Sequence, residues 1–246
     1  MRFPSVLAFL LLSGSWSSSQ IAQTSPAAET LVSKAVAAFS LTPVQDVHLT
    51  GRAHAIAGST NENGTFSFDL QSTGESRLDL KLASLSRTET TGSFSGVPKC
   101  QWISADGVQH DAAQHNCLLP VHWIVPVLAL QTHAGKLSKS AAAGTDQSIA
   151  VQELSMKAPP GDRSGAAQRI AELSGTHLSL DSSTFLPTSL SFNTHPDEDA
   201  GLDIPIVVRY ADYRTVNGVR FPFHIQRYLN NGLVLDLQVE SADVLR

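Results

Sequence analysis

Charge, aromatic side chains and cysteine are all scarce in this chain, and each scarcity excludes something. Charged residues are 16% of the 246 and aromatic ones 7%, against 42% hydrophobic. Such a composition demands a folded core and argues against disorder. No basic run offsets the formal net charge of −5, so the surface repels phosphate backbones and nucleic acid is not an expected partner. No apolar run reaches the ~20 residues a spanning helix needs, so the processed chain is not expected to be an integral membrane protein. Catalytic motifs are missing as well. There is no GxxxxGK[ST] phosphate loop and no HExxH pair, and Gly92-Ser93-Phe94-Ser95-Gly96 puts Phe where a nucleophile elbow needs Ser. No catalytic residue, metal site or cofactor is assigned, and the protein is not expected to be an enzyme.

The N-terminus reads as an export leader. Arg2 supplies the positive charge, Val6 to Leu12 an apolar stretch, and Ser13 to Gln23 the small residues among which a peptidase cuts. Residues 1–23 are therefore expected to be a signal peptide, and the mature protein to be periplasmic or secreted. Removing Arg2 leaves 16 basic against 22 acidic side chains, a net charge of −6. In an exported chain the two cysteines, Cys100 and Cys117, are expected to form one disulfide, which in the chain-entropy model is worth roughly 3 kcal/mol. His110, Asp111, His115 and Cys117 offer zinc-type donors, but their spacing matches no standard zinc pattern.

What remains is dominated by alternation. Phe221, Phe223 and Ile225 precede Asn230-Asn231-Gly232, and Leu233, Leu235, Leu237 and Val239 follow it, which predicts a hairpin with a type I′ turn at Asn-Gly. His224, Gln226, Asp236 and Gln238 lie between the apolar positions, so each strand has one apolar and one wet face. Earlier, Val47, Leu49, Gly51, Ala53 and Ala55 share one strand face; Phe66, Phe68 and Leu70 a second; Leu78, Leu80 and Leu82 a third. These predict an antiparallel meander. The small side chains of the first strand leave room for a packed helix or a ligand.

Helical spacing is confined to Pro26 to Phe39, where Leu31, Val32, Ala35, Val36 and Phe39 form a stripe behind a first-turn proline. Arg87 to Pro120 is polar and reads as irregular. Leu118 to Leu130 is the most apolar piece, bent at Pro126, and is either a lid over a hydrophobic cavity, with Trp123 in its lining, or an ordinary core helix. His48, His54 and His224 fall on wet strand faces, and the acidic run with Asp197, Glu198 and Asp203 reads as a solvated loop. Asn63-Gly64-Thr65 fits a glycosylation acceptor, a triplet common by chance.

The order of elements, with HLSLDSSTFLPTSLSF (His177 to Phe192) and the Tyr210-Ala211-Asp212-Tyr213 … Gly218-Val219-Arg220-Phe221-Pro222 run, resembles the LolA-like superfamily of periplasmic lipoprotein carriers and lipid-binding relatives. The resemblance implies an α+β fold: a strongly curved antiparallel sheet, an incomplete β-barrel, with helices covering a concave apolar face. Residues 24–246 would be one such domain, with a disulfide-bounded loop and a helical insertion near 87–135. The cavity lining would be Phe66, Phe68, Leu78, Leu80, Leu82, Phe221, Phe223, Ile225, Leu235 and Leu237, joined by Trp123 from the lid. For the buried arginine of the known carriers, Arg52 and Arg209 are the candidates. The expected function is a non-catalytic carrier for a lipid or acyl-bearing molecule, with lipoprotein acyl chains or an envelope protein as partner. Two other readings stay open: an envelope interaction or scaffold module with a self-filled core, and a metal-dependent exported enzyme using His110 and His115.

Overall fold

A computed structural model of the protein describes residues 26–94, 97–112, 116, 123–128, 137–139, 147–151, 173, 175–196 and 198–245. The expected leader, Cys117 and His115 lie outside these residues. One helix, α1 (Pro26–Phe39), precedes a first run of strands: β1 (Val47–Ala57), β2 (Thr60–Leu70), β3 (Ser76–Lys81), β4 (Arg87–Phe94), β5 (Val97–Ile103) and β6 (Gln109–Asp111). A second run follows: β7 (Leu137–Lys139), β8 (Gln147–Val151), β9 (Thr176–Leu180), β10 (Pro187–Thr194), β11 (Ile204–Val216), β12 (Val219–Leu229) and β13 (Gly232–Val244).

All thirteen strands belong to one antiparallel sheet in the order β6-β5-β4-β3-β2-β1-β13-β12-β11-β10-β9-β8-β7. Each run is a simple meander, and the two are joined where β1 pairs with β13. β6 and β7, consecutive in the chain, form the two free edges, so the sheet is an unclosed barrel and the 112–136 connection must cross from one edge to the other. Ile124, Val125 and Val127 from this connection are buried in the common core with Leu31, Ala35 and Phe39 of α1. The Phe39 and Phe221 rings meet edge to face, their centroids 5.2 Å apart. Helix and connection together cover the apolar face that alternation required.

Alternation placed the strand faces correctly along β1 to β3, β12 and β13, where the apolar positions are mostly buried and the polar ones face out. His48 pairs with Asp69 at 2.6 Å and His224 with Asp236 at 3.1 Å on the outer surface. Three expectations need correction. The Arg87–Asp111 stretch is not irregular but forms β4, β5 and β6. The space above Gly51 holds neither helix nor ligand: a Cβ there would lie 2.0 Å from the Gln238 carbonyl oxygen and 2.9 Å from the Phe66 ring. This crowding accompanies a bulge, in which Thr50 pairs with Ser241 and Gly51 with Val239, leaving Glu240 extra and bending the sheet. The final hairpin turns one residue earlier than expected. Asn230 and Asn231 take φ of +48° and +64°, and Gly232 already belongs to β13.

The β9–β10 turn is organised by Asp181. Its Oδ1 accepts from the Ser183 and Thr184 backbone N–H groups, at 3.0 and 2.7 Å, and from both hydroxyls. These bonds, led by the Ser183 hydroxyl, hold the carboxyl down at about 2, below its ordinary 3.8. Phe185, at φ +59°, closes the turn under the Lys34 ammonium of α1, 4.6 Å from its ring centroid. A carboxyl with a depressed folded-state pKa stabilises the fold fully above its unfolded value and loses that contribution as pH falls through the folded one. The wild-type advantage over Asp181→Asn, read from urea midpoints, should therefore be constant above about pH 5 and shrink progressively below it, with most of it lost by about pH 2. A gap independent of pH over that window would refute the assignment.

Candidate functional site

The candidate site is a half-open cavity of about 330 Å³ between the two halves of the sheet and the connection that leaves β6. Phe68 of β2 and Leu78 of β3 form its apolar floor, with Phe192 of β10 on the far side and Trp123 and Ile124 above. The remaining wall is polar and comes from β4 and β5. Register explains why: Leu80 pairs with Arg87, Leu78 with Glu89, and Glu89 with Trp102, so these three side chains share the inner face with the leucines. Arg227 arrives from the opposite half by the same logic. It continues the inward series Phe221, Phe223, Ile225 on β12 and pairs with buried Leu235 beside a register shift that leaves Val234 extra.

Curvature can be read from one ion pair. Arg227 Nη1 lies 3.8 Å from Glu89 Oε1, although four strands separate β12 from β4 in the sheet. Five inter-strand spacings would span about 24 Å if flat, so the sheet curls until the two inner faces meet. Glu89 Oε1 is also 2.8 Å from Arg87 Nε, so the one carboxylate serves both guanidinium groups. The buried Arg227 Nε–H has no hydrogen-bond acceptor among the described residues. Each guanidinium lies over an indole: Arg87 over Trp102 at 4.2 Å and Arg227 over Trp123 at 5.5 Å. Trp102 in turn stacks on His110, centroids 3.8 Å apart. Burial lowers the Arg87 pKa, Glu89 opposes the shift, and the Arg227 charge adds to it.

The roof is fastened at two points. The Asn116 amide donates to the His195 carbonyl at 2.8 Å while its Oδ1 accepts the His195 N–H at 3.1 Å. The Tyr210 hydroxyl donates to the Trp123 carbonyl at 2.5 Å. Asp212, at φ +53°, drops out of the β11 ladder between the Ala211–His224 and Tyr213–Pro222 pairs and breaks the alternation. Both tyrosines of the Tyr-x-Asp-Tyr run thus reach the interior, Tyr213 donating to the Pro187 carbonyl at 2.9 Å, and burial raises both phenol pKa values. The motif holds the connection over the sheet.

Of the residues expected to line a cavity, Phe68, Leu78 and Trp123 do so. Phe66, Leu80, Phe221, Phe223, Ile225, Leu235 and Leu237 are buried in the core, with Leu82 packed against it. The candidate arginines are elsewhere: Arg52 is 71% exposed and pairs with Glu240 outside, and exposed Arg209 stacks on Tyr228. Arg87 and Arg227 are the inward ones, and Arg227 was detectable from its odd-numbered place after Phe221, Phe223 and Ile225. Cys100 also borders the cavity, and among the described residues no cysteine is free. No group of three or more metal-ligating side chains occurs among the described residues, and no helix there is long and apolar enough to cross a membrane.

No family model matches the sequence, and no curated protein does. Solved structures do match. A domain assigned to outer membrane lipoprotein sorting from Vibrio parahaemolyticus shares 8% identity at a TM-score of 0.52, covering 88% of this chain and 91% of that one. A LolA superfamily protein from Nitrosomonas europaea shares 14% at 0.51, covering 89% and 93%. A DUF1329 family protein from Desulfovibrio piger shares 8% at 0.51, covering 88% and 91%. The protein has a LolA-like fold.

If Tyr210 fastens the roof, Tyr210→Phe should cost about 1 to 1.5 kcal/mol by loss of one buried hydrogen bond. It should also red-shift tryptophan emission as Trp123 loosens. A loss of stability with unchanged emission would mean that Tyr210 supports only the strand.

Proposed function

We propose that the protein is an exported, non-catalytic carrier or sensor that holds a lipid or other acyl-bearing molecule inside the half-barrel. The observation that carries this reading is the cavity itself, a space with an apolar floor and a polar wall left between a curled sheet and the segment above it. At about 330 Å³ it falls at the lower end of small-molecule sites, which run from ~300 to ~1,000 Å³. The LolA-like fold adds a second support, because one of the matched structures has been assigned to outer membrane lipoprotein sorting.

The export leader over residues 1–23, a periplasmic or secreted location and a Cys100–Cys117 bridge belong to the same proposal. A bridge would join β5 to the start of the crossing connection, restraining the roof at the edge where it leaves the sheet. Phe66, Leu80 and the other core residues would widen the binding surface only by repacking; Phe68, Leu78, Trp123 and Phe192 need no such movement.

Native mass spectrometry of the protein released from its own envelope without detergent is the direct test. A co-purifying amphiphile is the expected result, with the peptide mass two hydrogens below the fully reduced chain. Phe192→Asp, which places a carboxylate in the cavity wall, should keep the circular dichroism of the wild type and lose the amphiphile. A bare protein that also fails to take up fluorescent acyl probes would overturn the proposal.

A further inference from the structure

The cavity of a carrier for neutral hydrocarbon should be lined by hydrocarbon, yet this one contains two guanidinium groups and a single carboxylate. Glu89 cannot neutralise both Arg87 and Arg227, so the site keeps an excess positive charge inside a chain whose net charge is −5. His195, on the same wall, already has Asp203 at 2.9 Å. The arginine side chains are partly withdrawn from water, 36% exposed for Arg87 and 26% for Arg227. Arginine does not shed its proton to relieve such a burden. Arg227 also presents a buried Nε–H with no acceptor among the described residues, a state that costs free energy until an acceptor is supplied. Trp102 and Trp123 lie against the guanidinium groups, and stacking of this kind occupies the faces of the group while leaving its in-plane donors available.

We propose that the cavity selects an anionic, single-chain amphiphile, whose carboxylate or phosphate head sits between Arg87 and Arg227 while its chain lies over Phe68 and Leu78. The inference rests on the carrier reading above and adds the charge of the cargo to it. Planar, forked guanidinium donors match a carboxylate or phosphate better than any neutral head, and bonds of this kind are about twice as strong as neutral ones. The cavity volume accommodates one modest chain and not several. Glu89 then spaces the two arginines and holds the excess at one charge, which limits affinity and permits release.

Calorimetric titration of the protein with dodecanoate, dodecyl phosphate and 1-dodecanol, each below its aggregation limit, tests this. Wild type should bind at least one of the two anions about tenfold or more tightly than the alcohol, and the stronger of the two identifies the head group. Arg227→Gln should remove that preference and leave dodecanol binding unchanged. Glu89→Gln should shift anion affinity the other way, several-fold tighter, whereas a purely structural role for these residues would weaken every ligand in both variants. Equal affinity for alcohol and anions in wild type, or loss of anion binding in Glu89→Gln, would overturn the inference and leave the carrier reading standing. Failure of all three amphiphiles to bind would overturn both.

Discussion

Everything in this molecule depends on the pairing of β1 with β13. Each meander alone is an open sheet with one apolar face, and neither has enough helix to cover it. Joined through nine residue pairs from Val47–Val244 to Ala55–Leu235, they become one surface long enough to curl. The bulge at Thr50/Gly51 falls within this seam, and the extra residue Glu240 faces outward with Arg52 at 2.8 Å. Gly51 is obligatory there because the partner strand's carbonyl occupies the space of a side chain. Curling brings β4 within reach of β12, and so the seam creates the cavity at a distance.

That cavity combines two environments that proteins ordinarily keep apart. Its floor is built of the same leucine and phenylalanine side chains as the core, while its wall carries three charged groups and two indoles. Indole rings are what make the combination tolerable: they offer a guanidinium an electron-rich face in place of water and still pack as apolar surface. The roof is polar where it must be fastened, at Asn116 and at the Trp123 carbonyl, and apolar at Ile124, Val125 and Val127. The site is therefore lined by rigid strands on most sides and by a tethered segment on one.

The parts of the fold legible in sequence were those where one physical rule acted alone. Helical spacing behind Pro26 marked α1 from end to end, and apolar alternation marked β1, β2, β3, β12 and β13. β4 to β6 were not legible because Arg87, Glu89 and Thr91 put polar groups on the inner face, erasing the contrast between faces on which alternation depends. The reason they are polar is the site. The failure of pattern reading thus fell on the strands that make the cavity chemically distinct. Gly51 misled for a related reason: a missing side chain signals free space above the sheet or crowding within it, and only the bulge decides which.

The two strands of the central seam stand at opposite ends of the strand order along the chain, and this sets a timetable. As the polypeptide emerges, β1 to β3 form an early meander whose outer neighbours are complete, while β1 presents an unpaired edge for as long as the following strands take to appear. That edge carries Leu49 and Ala53 on its apolar side and waits for Leu237 and Val239. Contacts so remote in sequence form slowly, and an edge of this kind invites pairing with another chain. The seam that shapes the finished sheet is thus also the last part of it that the chain can complete.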